Sequence, residues 1–117
     1  MTLDEFFAGH GASRALFDAV SAAIGTIGPA ELRVTRSQAA FRRRTAFAMV
    51  WMPETYLGRG APLVLTIALR REDASPRWKQ VVEPAPGRFT HHLELHSAAD
   101  VDDEVRGWLR EAWEGAG

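Results

Sequence analysis

Hydrophobic residues near the start of the chain recur at helical spacing. Leu16, Phe17, Val20, Ile24 and Ile27 follow one another at intervals of mostly three and four, which predicts an amphipathic helix over residues 12–27 that Gly28 and Pro29 stop. Thr2 followed three residues later by Glu5 forms a capping-box pattern, so a short helix over residues 3–7 comes first. Its Phe6 and Phe7 need cover. The period then changes to two: Leu32 and Val34 share one side of a half-buried strand, with Arg33 and Thr35 on the other. Residues 38–42 and 45–52 read as a hairpin turning near Arg43 and Arg44. Leu63–Leu69 is a fourth strand and residues 89–95 a fifth. Residues 70–88 contain Pro76, Pro84, Pro86 and Gly87 and are too broken for regular structure along their whole length. Ser97 with Asp100 makes a second capping-box pattern ahead of the stripe Val101, Val105, Trp108, Leu109 and Ala112, so the last helix is expected over residues 98–114.

A block of strands flanked by helices at both ends predicts an α+β domain: an antiparallel sheet of about five strands, with N-terminal helices and a C-terminal helix on one face. The 117 residues contain no linker-like stretch and are read as a single domain. Leu16, Val20, Ile24, Val105, Trp108 and Leu109 should pack against Leu32, Val34, Phe47 or Ala48, Leu65 and Leu93. Residues 46–52 and Leu63–Leu69 are apolar on both faces, as expected of central strands. The second face therefore calls for cover from residues 70–88, from sheet curvature, or from a second copy in a homodimer.

Cysteine is absent, which removes disulfides, thiolate metal sites and Cys nucleophiles. The first residues lack the basic and long apolar regions of a signal peptide, and no apolar run approaches the ~20 residues that span a bilayer. The expected location is the cytoplasm, without membrane association.

Charge changes the picture more. The overall value of −1 conceals a partition: residues 32–93 carry eleven basic against four acidic side chains, whereas both flanking helical regions are acidic. Arg33, Arg36, Arg42, Arg43 and Arg44 occur with no acid between residues 32 and 53. A basic face is a footprint for phosphates or nucleic acid. Alternatively these arginines solubilise a hairpin tip or pair with the acidic helices.

Candidate chemistry is sparse. His92, Glu94 and His96 alternate along one strand face, but the outer two lie roughly 13 Å apart, too far to share one ion. No metal and no cofactor is expected. His91 shares the parity of Phe89, Leu93 and Leu95 and reads as a buried neutral histidine, with a catalytic base as the alternative. No serine stands in a nucleophile-elbow context, and Gly58 and Gly60 lack a phosphate-loop pattern. Trp108 and Trp51 read as core, and Trp113 as lying at a frayed end. Trp78, between Arg77 and Lys79, is either a stacking platform or an anchor for its loop.

Nearly the whole chain resembles the bacterial family DUF 5655, a domain of unknown function. The resemblance is carried by residues 14–20 (RALFDAV), 34–44 (VTRSQAAFRRR), 76–95 (PRWKQVVEPAPGRFTHHLEL) and 101–113 (VDDEVRGWLREAW). It implies a compact helix, sheet, helix domain and transfers no catalytic or binding residue. The leading expectation is a non-enzymatic binding or accessory module. Its basic sheet surface, with Arg33, Arg36, Arg42, Trp78, Lys79 and His92 as ligand-binding candidates, would meet an anionic ligand, nucleic acid or an acidic protein. The alternatives are a small enzyme with a His/Arg/Glu pocket and a structural dimerisation domain.

Overall fold

A computed structural model describes the backbone of residues 1–117 and the side chains of residues 1–54 and 57–117. Two helices open the chain, α1 (Leu3–Phe6) and α2 (Gly11–Gly25). Thr2 caps α1 as expected: its hydroxyl accepts from the Glu5 N–H at 3.1 Å while the Glu5 carboxylate accepts from the Thr2 N–H at 2.9 Å. Three strands follow, β1 (Glu31–Val34), β2 (Ala39–Arg42) and β3 (Ala46–Trp51), then a short helix α3 (Pro53–Leu57) with Pro53 in its first turn. The chain continues through β4 (Leu63–Leu69), β5 (Gln80–Ala85), β6 (Arg88–Leu95), a 3₁₀ turn (Ala98–Asp100) and α4 (Asp103–Gly115).

Among the described residues the sheet has six strands, all antiparallel, in the order β1-β2-β3-β4-β6-β5. The α+β architecture matches the expectation, but the strand number is one higher. The additional strand, β5, lies inside the segment read as too broken. It is an edge strand, where Pro84 removes no interior ladder bond, so proline there is tolerated. The β5–β6 turn follows from its residues: Pro86 presets φ at the second turn position and Gly87 supplies φ of 74° at the third, a type II pattern.

The last helix also starts later than expected. Ser97 and Asp100 do form a capping box, but it opens the 3₁₀ turn and not α4. Helix α4 has its own cap, Asp102, whose carboxylate accepts from the Val105 N–H at 3.0 Å. Two closely spaced caps compete for one start, and the pattern in the sequence does not rank them.

Helices α2 and α4 pack together and lie on one face of the sheet, against β3 and β4. We call this the inner face. The Phe17 ring stacks on Phe41 at 5.7 Å, and Phe7 packs on Phe17, giving the N-terminal phenylalanines their cover. Leu63, Leu65, Ile67 and Leu69 of β4 face Leu95, Leu93, His91 and Phe89 of β6. Phe47 and Ala48 are both in the core. Phe41 pairs with Ala48 and Arg42 with Ala46, so β3 carries one extra residue, and this bulge lets adjacent side chains both turn inward. Leu32 departs from expectation. It has inner-face parity, opposite Phe41, yet is 36% exposed because β1 is the edge strand.

Residues 70–79 do not cover the second face. Trp78 packs on Trp108 of α4, the rings tilted by 39° with centroids 4.2 Å apart, which puts this segment on the inner side. Trp113 is not frayed either. Its indole N–H donates to the Pro29 carbonyl at 3.0 Å, and it lies so close to Gly28 that any side chain there would overlap its ring.

Candidate site on the outer face of the sheet

Four of the ten arginines between residues 32 and 93 engage the C-terminal helix through their side chains. Arg77 bridges Asp102 at 2.9 Å and Glu104 at 2.8 Å, and donates to the Asp100 carbonyl. Arg71 grips Glu111 through two bonds of 2.8 and 2.9 Å. At the other end of α4, whose last turn has no basic residue of its own, Arg43 donates to the Trp113 carbonyl and Arg70 to that of Gly115. The N–H groups of Arg44 and Thr45 both reach the Ala116 carbonyl. Arg43 also lies 3.6 Å from the Trp113 ring centroid, a cation–π contact. Cations supplied by the sheet thus satisfy the negative end of the helix dipole and its free carbonyls. Part of the charge partition is an internal clamp.

The outer face, turned away from α2 and α4, keeps the remainder. Cross-strand register places Arg33, Ala40, Met49, Thr66, His92 and Gln80 in one row, from edge to edge. Arg42 lies diagonally beside Arg33, and Trp51, Val64 and Glu94 form a neighbouring row. Val64, Thr66 and Ala40 are buried although they point outward, because they are short and flanked by Met49, Trp51 and His92. Arg33 pairs with Glu31 at 3.3 Å. Among the described residues no carboxylate is within ion-pair distance of Arg42. Arg33 and His92 are separated by four strand spacings, roughly 19 Å, so one small ligand cannot touch both.

His92 is the chemically distinctive group on this face. Its Nδ1 lies 2.7 Å from the Thr66 hydroxyl. Burial lowers its pKa below the ordinary histidine value, and the neighbouring His91 adds to the effect. In neutral solution it therefore offers a hydrogen bond and a ring face rather than a charge. Thr66 is the one polar side chain in Leu63–Leu69, the signal in the sequence that marks this position.

The other expected site residues fall elsewhere. Arg36 is exposed in the β1–β2 turn, beside a hollow of about 150 Å³ that also borders Glu5 and His10. Lys79 is exposed and by alternation has the opposite parity to Gln80. Trp78 is an anchor, not a platform: it is 8% exposed and packed against His91 and Trp108, and its indole N–H donates to Asp73 at 2.9 Å. His91 is fully buried. Its Nε2 accepts from the Asp73 N–H at 3.0 Å, which leaves the proton on Nδ1 facing the Ile67 carbonyl at 3.3 Å. Both nitrogens are occupied. Among the described residues no three His, Asp or Glu side chains are grouped to hold a metal ion.

Six antiparallel strands, with two long helices on the inner face and a mixed polar and apolar outer face, define an α+β domain. The chain belongs to the family described as a domain of unknown function, DUF5655, whose model matches residues 3–116. No curated protein and no solved structure matches the chain.

Proposed function

We propose that the protein is a non-enzymatic binding module whose outer sheet face meets an extended anionic partner, with single-stranded nucleic acid the form its chemistry fits best. The observation that carries this reading is the row running from Arg33 to His92. It spans roughly 19 Å and offers guanidinium groups at one end, Arg33 with Arg42 diagonally beside it, and the uncharged His92 ring at the other. Guanidinium groups meet phosphates, and the imidazole ring gives a base a face to stack on. His91, by contrast, has neither nitrogen free for catalysis.

Few phosphate contacts are available, so affinity should be in the non-specific range of roughly 10⁻⁴ to 10⁻⁶ M and should fall steeply with salt. Fluorescence anisotropy with labelled single- and double-stranded oligonucleotides, at low and physiological salt, tests this. Binding should favour single strands and disappear in an Arg33→Glu/Arg42→Glu variant. No binding by the wild type at low salt rejects nucleic acid, and binding that survives charge reversal rejects this face.

A further inference from the structure

A cleft of about 670 Å³ lies at the end of the sheet where β3 begins, β4 ends and the β5–β6 turn approaches the last turn of α4. Arg70 and Arg88 both line it, whereas Arg33, Arg42 and His92 do not. Leu69 and Phe89 form the last pair of β4 and β6, so the next positions outward, Arg70 just beyond β4 and Arg88 at the start of β6, lie side by side. Like charges on neighbouring strands repel. Among the described residues neither has a carboxylate within ion-pair distance. Each guanidinium uses one N–H on a main-chain carbonyl, Arg70 on Gly115 at 2.6 Å and Arg88 on Ala46 at 3.1 Å. A guanidinium has five such donors, so most of both forks are left for another acceptor.

The remaining walls narrow the chemistry. Ala46, Ala68 and Pro86 supply an apolar surface. Glu111, on the α4 side, is already held by Arg71, and Glu114 adds a carboxylate at the rim. Those acids repel a polyanion but tolerate one anionic head placed between the arginines.

We propose that this cleft binds a small organic anion, its carboxylate or phosphate head held between Arg70 and Arg88 and its apolar body against Ala46, Ala68 and Pro86. The site is separate from the outer face, so the two readings stand or fall independently.

Two-dimensional ¹H–¹⁵N NMR titration with benzoate, phenyl phosphate and benzylamine tests it. At millimolar concentration at least one of the two anions should shift the amides of Ala46, Gly87, Arg88 and Gly115 while leaving those of Arg33 and His92 in place. The tighter anion identifies the head group. An Arg70→Gln/Arg88→Gln variant should bind at least roughly tenfold more weakly, since each charged hydrogen bond contributes about that much. Thermal unfolding checks that the variant folds; if it does not, Arg88→Gln alone serves, because among the described residues the Arg88 side chain hydrogen-bonds only the Ala46 carbonyl. The proposal is overturned if neither anion moves these amides, if benzylamine binds as tightly, or if the glutamine variants bind like wild type.

Discussion

The inner and outer faces of the sheet are made by the same strands, yet they are held by different physics. Along β4, Leu63, Leu65, Ile67 and Leu69 turn inward and meet the two long helices. Val64, Thr66 and Ala68 turn outward and gain their burial from longer neighbours on adjacent strands. Inner-face burial removes large apolar side chains from water altogether, at roughly 25 cal/mol per Å². The outer face shelters small side chains and leaves polar tips exposed. Charge follows the same division. Arg71 and Arg77 cross to α4 and are paired there, whereas Arg42 stays unpaired on the outside among the described residues.

The largest expected effect tests the inner face. Trp108→Ala removes a ring packed on Trp78 and beneath Arg77, and should cost about 3 to 5 kcal/mol in chemical denaturation. Met49→Ala on the outer face should cost about 1 kcal/mol or less, because part of that side chain already meets water. Equal losses would erase the distinction between the faces. Arg77→Ala comes next, at on the order of 1 to 2 kcal/mol. Two carboxylates and a carbonyl lose their donor, but the group is partly exposed and solvent compensates. Hydrogen exchange should quicken first in the 3₁₀ turn and the start of α4.

Acid sharpens the comparison further. Burial raises the Asp73 pKa, but the hydrogen bonds from Trp78, Arg71 and the Ser75 N–H outweigh it and bring the carboxyl down to about 2. A carboxyl depressed on folding stabilises above its unfolded pKa of about 3.9, and that contribution fades as pH falls toward the folded value. On the order of 1 kcal/mol should be lost across that window after allowance for solvent screening. In Asp73→Asn this acid-dependent loss should be smaller. The smallest effect belongs to His92. Its lowered pKa means that the unfolded chain takes up a proton first, so stability should decline as pH drops through about 6.5. Unfolding midpoints between about pH 8 and pH 6 should show that slope, and His92→Gln should lessen it.

Local patterns made much of this fold legible. The capping box at Thr2, the helical spacing from Leu16 to Ile24 and the unbroken strand Leu63–Leu69 are signals between neighbours in the chain, and each appears where its residues put it. The failures share a different character. Strand β5 was hidden because Pro84 is acceptable only on an edge, and a strand becomes an edge through pairing with distant residues. The cap that starts α4, Asp102, is also held by Arg77 from 25 residues away in the chain, a contact no local pattern contains. The neighbours of Trp78 in the chain favour an anchor over a platform without deciding it, and the decision comes from Trp108 and His91 packing around the ring.

The sequence by itself determined that there would be helices at both ends, a strand-rich middle, and an excess of cations in that middle. Propensity, periodicity and charge are properties of residues and their near neighbours. Only the tertiary structure decided which cations were neutralised and which were left over. Arg71 and Arg77 find carboxylates on α4 or its cap, Arg43 and Arg70 find its last carbonyls, and Arg42 and Arg88 have no carboxylate partner among the described residues. Register across β1, β2, β4 and β6 sets those outcomes, and register is a relation between segments that no single segment contains.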